Sequence, residues 1–321
     1  MNYKEYKSNL DNVKDNLNKY GIAVIPDILS NIECKKNANL AWKEFNTLTS
    51  KMDIPIDKNN QNSYKTIFNF YPLHSMLLQH NNIGHMQFVW NIRQNIKVAT
   101  VFAKIWDCSV DELLCSFDGI SFHMPPEITN RGWYRSNDWL HTDQSSNKPN
   151  LESIQGFISL YDINEYDGTL CIHEGSHKYH QSFFKDYNIE CKKDWFKLQN
   201  KEQYNYFIKN DCHKTCIKCK RGSLVLWDSR VFHQGIEPQK DRTIPNTRLV
   251  VYVCMTNRSR SNEKDLLKKQ KAFNELRMTT HSPHKPMLFG KNPRTYGKEL
   301  PNIVKIKKPM LTDLGLKLAG F

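Results

Sequence analysis

The stretch 138-DWLHTDQS-145 decides how the rest of the chain is read, because His141 and Asp143 sit one residue apart beside Trp139. Alternate residues of an extended chain point to the same side, so these two side chains can converge on one point. Alone the pair says little, since a chain with 12 His and 33 Asp plus Glu holds several such pairs by chance. Its meaning depends on what elsewhere in the sequence can complete it.

The whole chain sets the bounds. Its 321 residues, 39% hydrophobic, are ample for a packed core and allow one large domain or two small ones. The opening "MNYKEYKSNLDNVKDNLNKYG" is polar and amphipathic, without the apolar core of a signal peptide. No run approaches the roughly 18 apolar residues that span a bilayer. A soluble cytoplasmic protein without membrane insertion is therefore expected. Nine cysteines, odd in number and scattered, fit a reducing compartment. The cluster "CHKTCIKC", with Cys212, His213, Cys216 and Cys219, lacks a second ligand pair at comparable spacing. Only Cys191 and His180 are near it in sequence, so it reads as shielded thiols rather than a zinc site. Of the net charge of +13, residues 258–321 carry +10. That segment is either a solvated lysine-rich surface or an anion-binding one.

Along the chain, residues 3–19 read as a helix, with Tyr6, Leu10, Val13 and Leu17 at helical spacing. "GIAVIP" (21–26) is a short buried strand. Ser30 then caps a helix running to about Leu48. Residues 50–66 read as a loop, and 85–107 as one or two helices with Phe88, Ile92, Ile96, Ala99 and Phe102 on the apolar face. From about Leu113 the texture changes to short β-branched and aromatic runs: "LLCSFDGISFHM", "SIQGFISLYD", "GTLCIHEG", "GSLVLWD" and "RLVVYVCM". Such runs, with few long helices between them, predict a mainly β core of jelly-roll type with helices before and after it. A helix returns at about 262–277, with Leu266, Leu267, Phe273 and Leu276 on one side.

About ninety residues past Asp143, "GSLVLWDSRVFHQG" (222–235) reads as a strand that ends on His233. Two histidines and a carboxylate, one pair at i and i+2, have the pattern of the facial triad of non-haem Fe(II) oxygenases. Three ligands on one face leave the other positions open for a co-substrate and O2. A 2-oxoglutarate enzyme also needs a fixed cation for the far carboxylate, for which arginine's planar fork is suited. Arg248, opening "RLVVYVCM", is favoured over Arg242 in the loop "QKDRTIPN", because a strand orients a carboxylate better than a loop.

With these residues in place, the chain resembles the phytanoyl-CoA dioxygenase-like family of Fe(II)/2-oxoglutarate oxygenases. The resemblance runs from "YGIAVIPDILS" to "RLVVYVCM" and rests on "HTD", "DGTLCIHEGSHKYH" (167–180) and "GSLVLWDSRVFHQG" together. It implies a double-stranded β-helix, with Fe(II), 2-oxoglutarate and O2. It maps the iron ligands onto His141, Asp143 and His233, the salt bridge to 2-oxoglutarate onto Arg248, and a pocket-lining aromatic onto Phe157. Gln155 and Ser159 share the parity of Phe157 and face the same pocket or the interior beside it. Asp167 stands where the family has Asn, Glu174 where it has Pro, and Gly235 where some members have a serine that helps hold 2-oxoglutarate. Residues 1–257 would form the oxygenase domain and 258–321 a basic extension packed on it.

Other candidates carry less. His173 and His177 flank a Gly-Ser-His turn, His281 and His284 have metal-like spacing but no carboxylate or cysteine partner and read as loop residues or a substrate contact, and Arg230 pairs locally with Asp228. The expected function is hydroxylation of a small-molecule or lipid-like substrate with release of succinate and CO2. Asp143 argues against a halogenase, in which chloride replaces the carboxylate. A nucleic-acid oxygenase, suggested by the basic tail, and an inactive jelly-roll binding protein are the alternatives.

Overall fold

Runs of β-branched and aromatic residues between turn formers make the strands, and their alternation decides which side of each sheet is filled. The computed structural model describes residues 6–70, 76–136, 138–293, 297 and 299–321. In chain order the strands are β1 (Ile22–Ile25), β2 (Leu77–Leu78), β3 (Leu113–Cys115), β4 (Ile120–His123), β5 (His141–Thr142) and β6 (Ile154–Ser159). They continue with β7 (Thr169–His173), β8 (Phe196–Lys197), β9 (Lys214–Cys216), β10 (Leu224–Asp228), β11 (His233–Ile236) and β12 (Arg248–Asn257).

Two antiparallel sheets result. The larger has the order β1-β10-β6-β12-β4-β2, with β3 on the far end of β12, and the smaller has the order β8-β5-β11-β7-β9. Their facing sides meet in one cluster: Val24, Phe157, Val225 and Val250 from the larger sheet, Leu170 and Ile172 from the smaller. The alternate residues Ala23, Ile25, Leu224, Leu226, Leu249 and Val251 pack outward against the helices Asn31–Leu48 and Ile96–Trp106. This is the double-stranded β-helix with flanking helices, the fold of the 2-oxoglutarate oxygenases. No helix among the described residues is long and apolar enough to cross a membrane.

Local chemistry sets several boundaries. Ser30 Oγ accepts from Glu33 N at 3.2 Å while Glu33 Oε2 accepts from Ser30 N at 2.7 Å, a reciprocal cap that starts the helix Asn31–Leu48. The N-terminal helix is shorter than its periodicity predicts, covering Val13–Tyr20. Positions 3–5 of that expectation lie outside the described residues. Ahead of Val13, Asn9 Oδ1 accepts from Asp11 N at 2.8 Å and Asn12 N at 3.1 Å, so side-chain amides take the hydrogen bonds a helix would need. The predicted loop at 50–66 gives way at Gln61–Phe70 to a 3-10 helix that buries Ile67 and Phe70.

Residues 85–107 form two helices, Gln87–Arg93 and Ile96–Trp106, because Asn95 Oδ1 accepts from Lys97 N at 3.0 Å and starts a new helix. The break shifts the phase and leaves Ile96 54% exposed, while Phe88, Ile92, Ala99 and Phe102 are buried. In the helix Glu263–Asn274, Phe273 is buried with Trp90 and Phe117, but Leu267 is 57% exposed. The buried face holds Lys269 instead, its ammonium on the Cys115 carbonyl and over the Phe117 ring. A lysine's long apolar stem lets it occupy such a place, and burial pushes Lys269 down to about 7.

The capping pair gives the fold a direct test. Ser30→Ala should lower the unfolding free energy by about 1 kcal/mol. In urea this would appear as a lower midpoint at unchanged slope; an unchanged midpoint would remove the cap from the account.

Candidate metal centre

His233 does not end the strand before it. The run 222–235 is divided: β10 stops at Asp228, Val231 N donates back to Asp228 O at 3.0 Å, and His233 opens β11 in the other sheet. There it pairs directly with His141 of β5. Directly opposed residues of an antiparallel ladder share a face, and the two imidazole centroids lie 4.4 Å apart. Asp143, two residues past His141, returns to that face, and Asp143 N donates to Ser229 O at 3.0 Å. Its Oδ1 is 3.7 Å from His141 Nε2 and its Oδ2 is 3.4 Å from His233 Nε2. One ligand atom from each of the three lies within 4.8 Å of the others, an arrangement that could hold a metal ion.

The hydrogen bonds behind the ligand atoms fix their roles. His141 Nδ1 faces Trp139 O at 3.3 Å, and His233 Nδ1 faces Val231 O at 2.9 Å. A carbonyl only accepts, so each Nδ1 carries the proton and each Nε2 keeps a free lone pair toward the centre. Burial, then the neighbouring His233, pushes His141 down to about 3, so its ring is neutral at physiological pH. Burial opposes ionisation of Asp143, but the pull of His281, His141 and His233 outweighs it and holds the carboxyl well below the usual range. Gln155 Nε2 donates to Asp143 Oδ2 at 2.9 Å. Gln155 is thus engaged on the carboxylate.

Arg248, the first residue of β12, is buried at 6% exposure. Its Nε donates to Ser121 Oγ at 3.2 Å and its Nη1 to Gly168 O at 2.9 Å, with the guanidinium 5.3 Å from the centre of the Phe157 ring. Among the described residues no carboxylate pairs with it. Directly across the ladder is His123, fully buried, neither of whose ring nitrogens has a hydrogen-bond partner among the described residues. Burial, then the charges of Arg242 and Arg248, pushes His123 down to about 3.

Arg242 is occupied. It grips Glu127 with Nε at 2.7 Å and Nη2 at 2.5 Å, and reaches Asp167 Oδ1 with Nη1 at 3.1 Å. Asp167 is therefore more than a neutral replacement for Asn, because it supplies the charge that Arg242 meets. Glu174 accepts from the Tyr6 hydroxyl. At Gly235 a Cβ would stand 3.2 Å from Met76 Cε and 3.8 Å from Trp139 Cζ2, so the Met76 methyl and the Trp139 ring fill the place of a side chain there.

Two residues approach the centre without a signal in the motif. Trp195 is 50% exposed on the loop before β8, with its ring 5.9 Å from His141, whose other neighbour Trp139 stacks at 4.6 Å. His281, from the segment beyond β12, turns Nε2 to Asp143 O at 3.3 Å. Its backbone is tied down, since His281 O accepts from Ser153 Oγ at 3.3 Å and Cys254 Sγ at 2.9 Å. The other candidates lie away from the centre. His177 Nε2 meets Asn18 O at 3.0 Å, Arg230 pairs with Asp228 at 2.7 Å, and Ser159 Oγ donates to Tyr161 O at 2.7 Å.

No family model matches the chain. Ava biosynthesis cluster protein O of Aspergillus versicolor is 30% identical over 210 residues, which are 63% of this chain and 65% of that protein. The chain thus spans less than two-thirds of that relative's length. Among solved structures, hypothetical protein JW0805 of Escherichia coli superposes with a TM-score of 0.63 at 14% identity, covering 98% of this chain and 85% of that one. GIG2 of Candida albicans gives a TM-score of 0.58 at 12% identity, covering 98% and 83%. At these identities the likeness is one of fold, and the fold is the one that the sequence resemblance implies.

The two arginines separate in a stability measurement. Arg242→Ala leaves Asp167 buried without its cation and should lower the unfolding free energy by about 3–5 kcal/mol, read from urea unfolding. A loss below about 1 kcal/mol would show that the Arg242 network is not holding the loop.

Proposed function

We propose that the protein is an Fe(II)/2-oxoglutarate-dependent dioxygenase acting on a small-molecule or lipid-like substrate, with His141, Asp143 and His233 as the metal ligands. The observation that carries this reading is Arg248: a buried guanidinium with no carboxylate paired to it among the described residues, in the same barrel as a His-Asp-His set. A buried charge left unpaired is costly, and a dicarboxylate co-substrate would supply the missing partner. The orphaned nitrogens of His123 beside it support the same reading. The donor set suits Fe(II), being two nitrogens and one carboxylate on one face. Bound Fe(II) would couple O2 and the oxidative decarboxylation of 2-oxoglutarate to oxidation of the substrate.

The chain's own residues do the rest. Trp139 O and Val231 O hold the imidazoles in the ligating tautomer. Gln155 fixes Asp143 by one oxygen and leaves the other for the metal, which makes it a positioning residue rather than a ligand of the co-substrate. Phe157 walls the pocket under the guanidinium. Trp195, exposed beside His141, offers an apolar platform at the mouth, which favours a substrate with a planar or apolar part.

Succinate release with Fe(II), 2-oxoglutarate and pooled metabolites and lipids tests the function. His141→Ala, Asp143→Ala and His233→Ala should each abolish Fe(II) binding and succinate release while circular dichroism stays native. Retention of both properties in any of the three would remove that residue from the metal site. Arg248→Ala should raise the KM for 2-oxoglutarate by at least about a hundredfold, the equivalent of about 3 kcal/mol for a lost buried charge pair. An unchanged KM would put the co-substrate elsewhere.

A further inference from the structure

The smaller sheet has an outer face that the metal centre does not use. On β7, Leu170 and Ile172 point into the barrel, so Cys171 and His173 point out. On β9, Cys216 is the register partner of Cys171, and Lys214 that of His173. The sulfurs of Cys171 and Cys216 lie 3.3 Å apart, both as free thiols. Among the described residues no other pair of cysteine sulfurs is joined by a hydrogen bond.

The ladder shows that the backbone also suits a bond between them. Ile217 N donates to Leu170 O at 2.9 Å and Glu174 N to His213 O at 3.0 Å, which makes the even-numbered β7 positions the hydrogen-bonded pairs. Cys171 and Cys216 are therefore a non-hydrogen-bonded pair, where facing Cα atoms approach to about 4.5 Å. That separation is inside the range a disulfide spans, roughly 4.4–6.8 Å. Only the sulfurs need to close.

We propose that Cys171 and Cys216 are a modification site that takes hydrogen peroxide and becomes a disulfide. Cys216 is the attacking residue: it is partly exposed while Cys171 is buried. Its hydrogen bond with Cys171 and, against burial, the ammonium of Lys214 hold its thiol below the ordinary value, which raises the thiolate fraction. The Cys216 sulfur attacks one peroxide oxygen, the O–O bond breaks, and the departing hydroxide leaves as water with the thiol proton. The Cys171 sulfur then displaces the hydroxyl of the resulting sulfenic acid, forming the S–S bond and releasing a second water. The two sulfurs together lose two electrons and two protons, and the peroxide gains them. The link ties β9 to β7 on the face away from His233, and the inference does not rest on the assignment of the metal ligands.

The test uses the full chain, stripped of metal with a chelator, with and without hydrogen peroxide. Free thiols are then blocked with N-ethylmaleimide and the protein is digested with trypsin without reductant. Peptide 215–218, which holds Cys216 alone, should appear joined to the peptide ending at Lys178, lighter than their sum by two hydrogens and absent after dithiothreitol. In Cys171→Ser, which cannot close the bond, peroxide should leave Cys216 as the cysteine labelled by dimedone. Full alkylation of Cys216 with and without peroxide, or a disulfide formed mainly between other cysteines, would overturn the proposal. So would a Cys171→Ser protein whose Cys216 ignores dimedone.

Discussion

His233 lies directly across the β5–β11 ladder from His141, so the candidate centre exists only if the chain changes sheets between Asp228 and His233. Register admits no half measures, since a slip of one residue would turn His233 to the outer face. The crossing is held by several bonds to Ser229: its carbonyl accepts from Asp143 N at 3.0 Å and Thr142 Oγ1 at 2.9 Å, and its hydroxyl donates to Gln144 Oε1 at 2.8 Å. The turn that delivers the second histidine is thus bonded to the segment that carries the first histidine and the aspartate. A single local structure sets all three side chains.

The two arginines show how context divides one residue type into two roles. Arg242 and Arg248 are both buried, yet Arg242 meets Glu127 and Asp167 whereas Arg248 meets a hydroxyl, a carbonyl and the face of Phe157. The first arrangement neutralises the charge and locks a loop. In the second no carboxylate among the described residues neutralises the charge, a cost of the kind that a folded protein offsets elsewhere when a site serves a ligand. Under the proposed function, a test that removed either arginine and measured only activity would confuse the two, because loss of the loop and loss of the proposed anchor would both lower turnover.

Much of this was legible in the sequence. Strands showed as short apolar runs between turn formers, Ser30 showed as a cap, and H-x-D with a distant histidine showed as one chemical set. What the sequence hid has physical causes. Asn9 and Asn95 redirect backbone hydrogen bonds by their side chains, which periodicity does not register. Lys269 fills an apolar position that a leucine was expected to hold. Trp195 and His281 reach the centre through folding of distant segments: no spacing announces Trp195, and the metal-like spacing of His281 with His284 does not reveal that His281 meets Asp143. Asp167 shows in the sequence only as a departure from the family's Asn, and its neighbour Arg242 gives the charge a purpose.

The segment beyond β12 bears on the centre through its backbone as much as through His281. Thr279 N donates to Phe117 O at 3.0 Å, and Phe117 N to Thr279 Oγ1 at 2.9 Å, fastening the segment beside β3. From that anchor the chain needs only two more residues to bring His281 O to Ser153 and Cys254, and its ring to Asp143. Ser153 and Cys254 flank the β6–β12 ladder at the end where Gln155 pairs with Cys254. Gln155 in turn holds Asp143. Asp143 is therefore braced from two sides, its carboxylate by the barrel wall through Gln155 and its backbone carbonyl by the C-terminal segment through His281. The basic charge of that segment is a separate property: Lys305, Lys307 and Lys308 are exposed, and Lys308 reaches Asn274 at 2.8 Å. None of the three takes part in the bracing contacts, so the segment's part in the centre follows from its hydrogen bonds and not from these lysines.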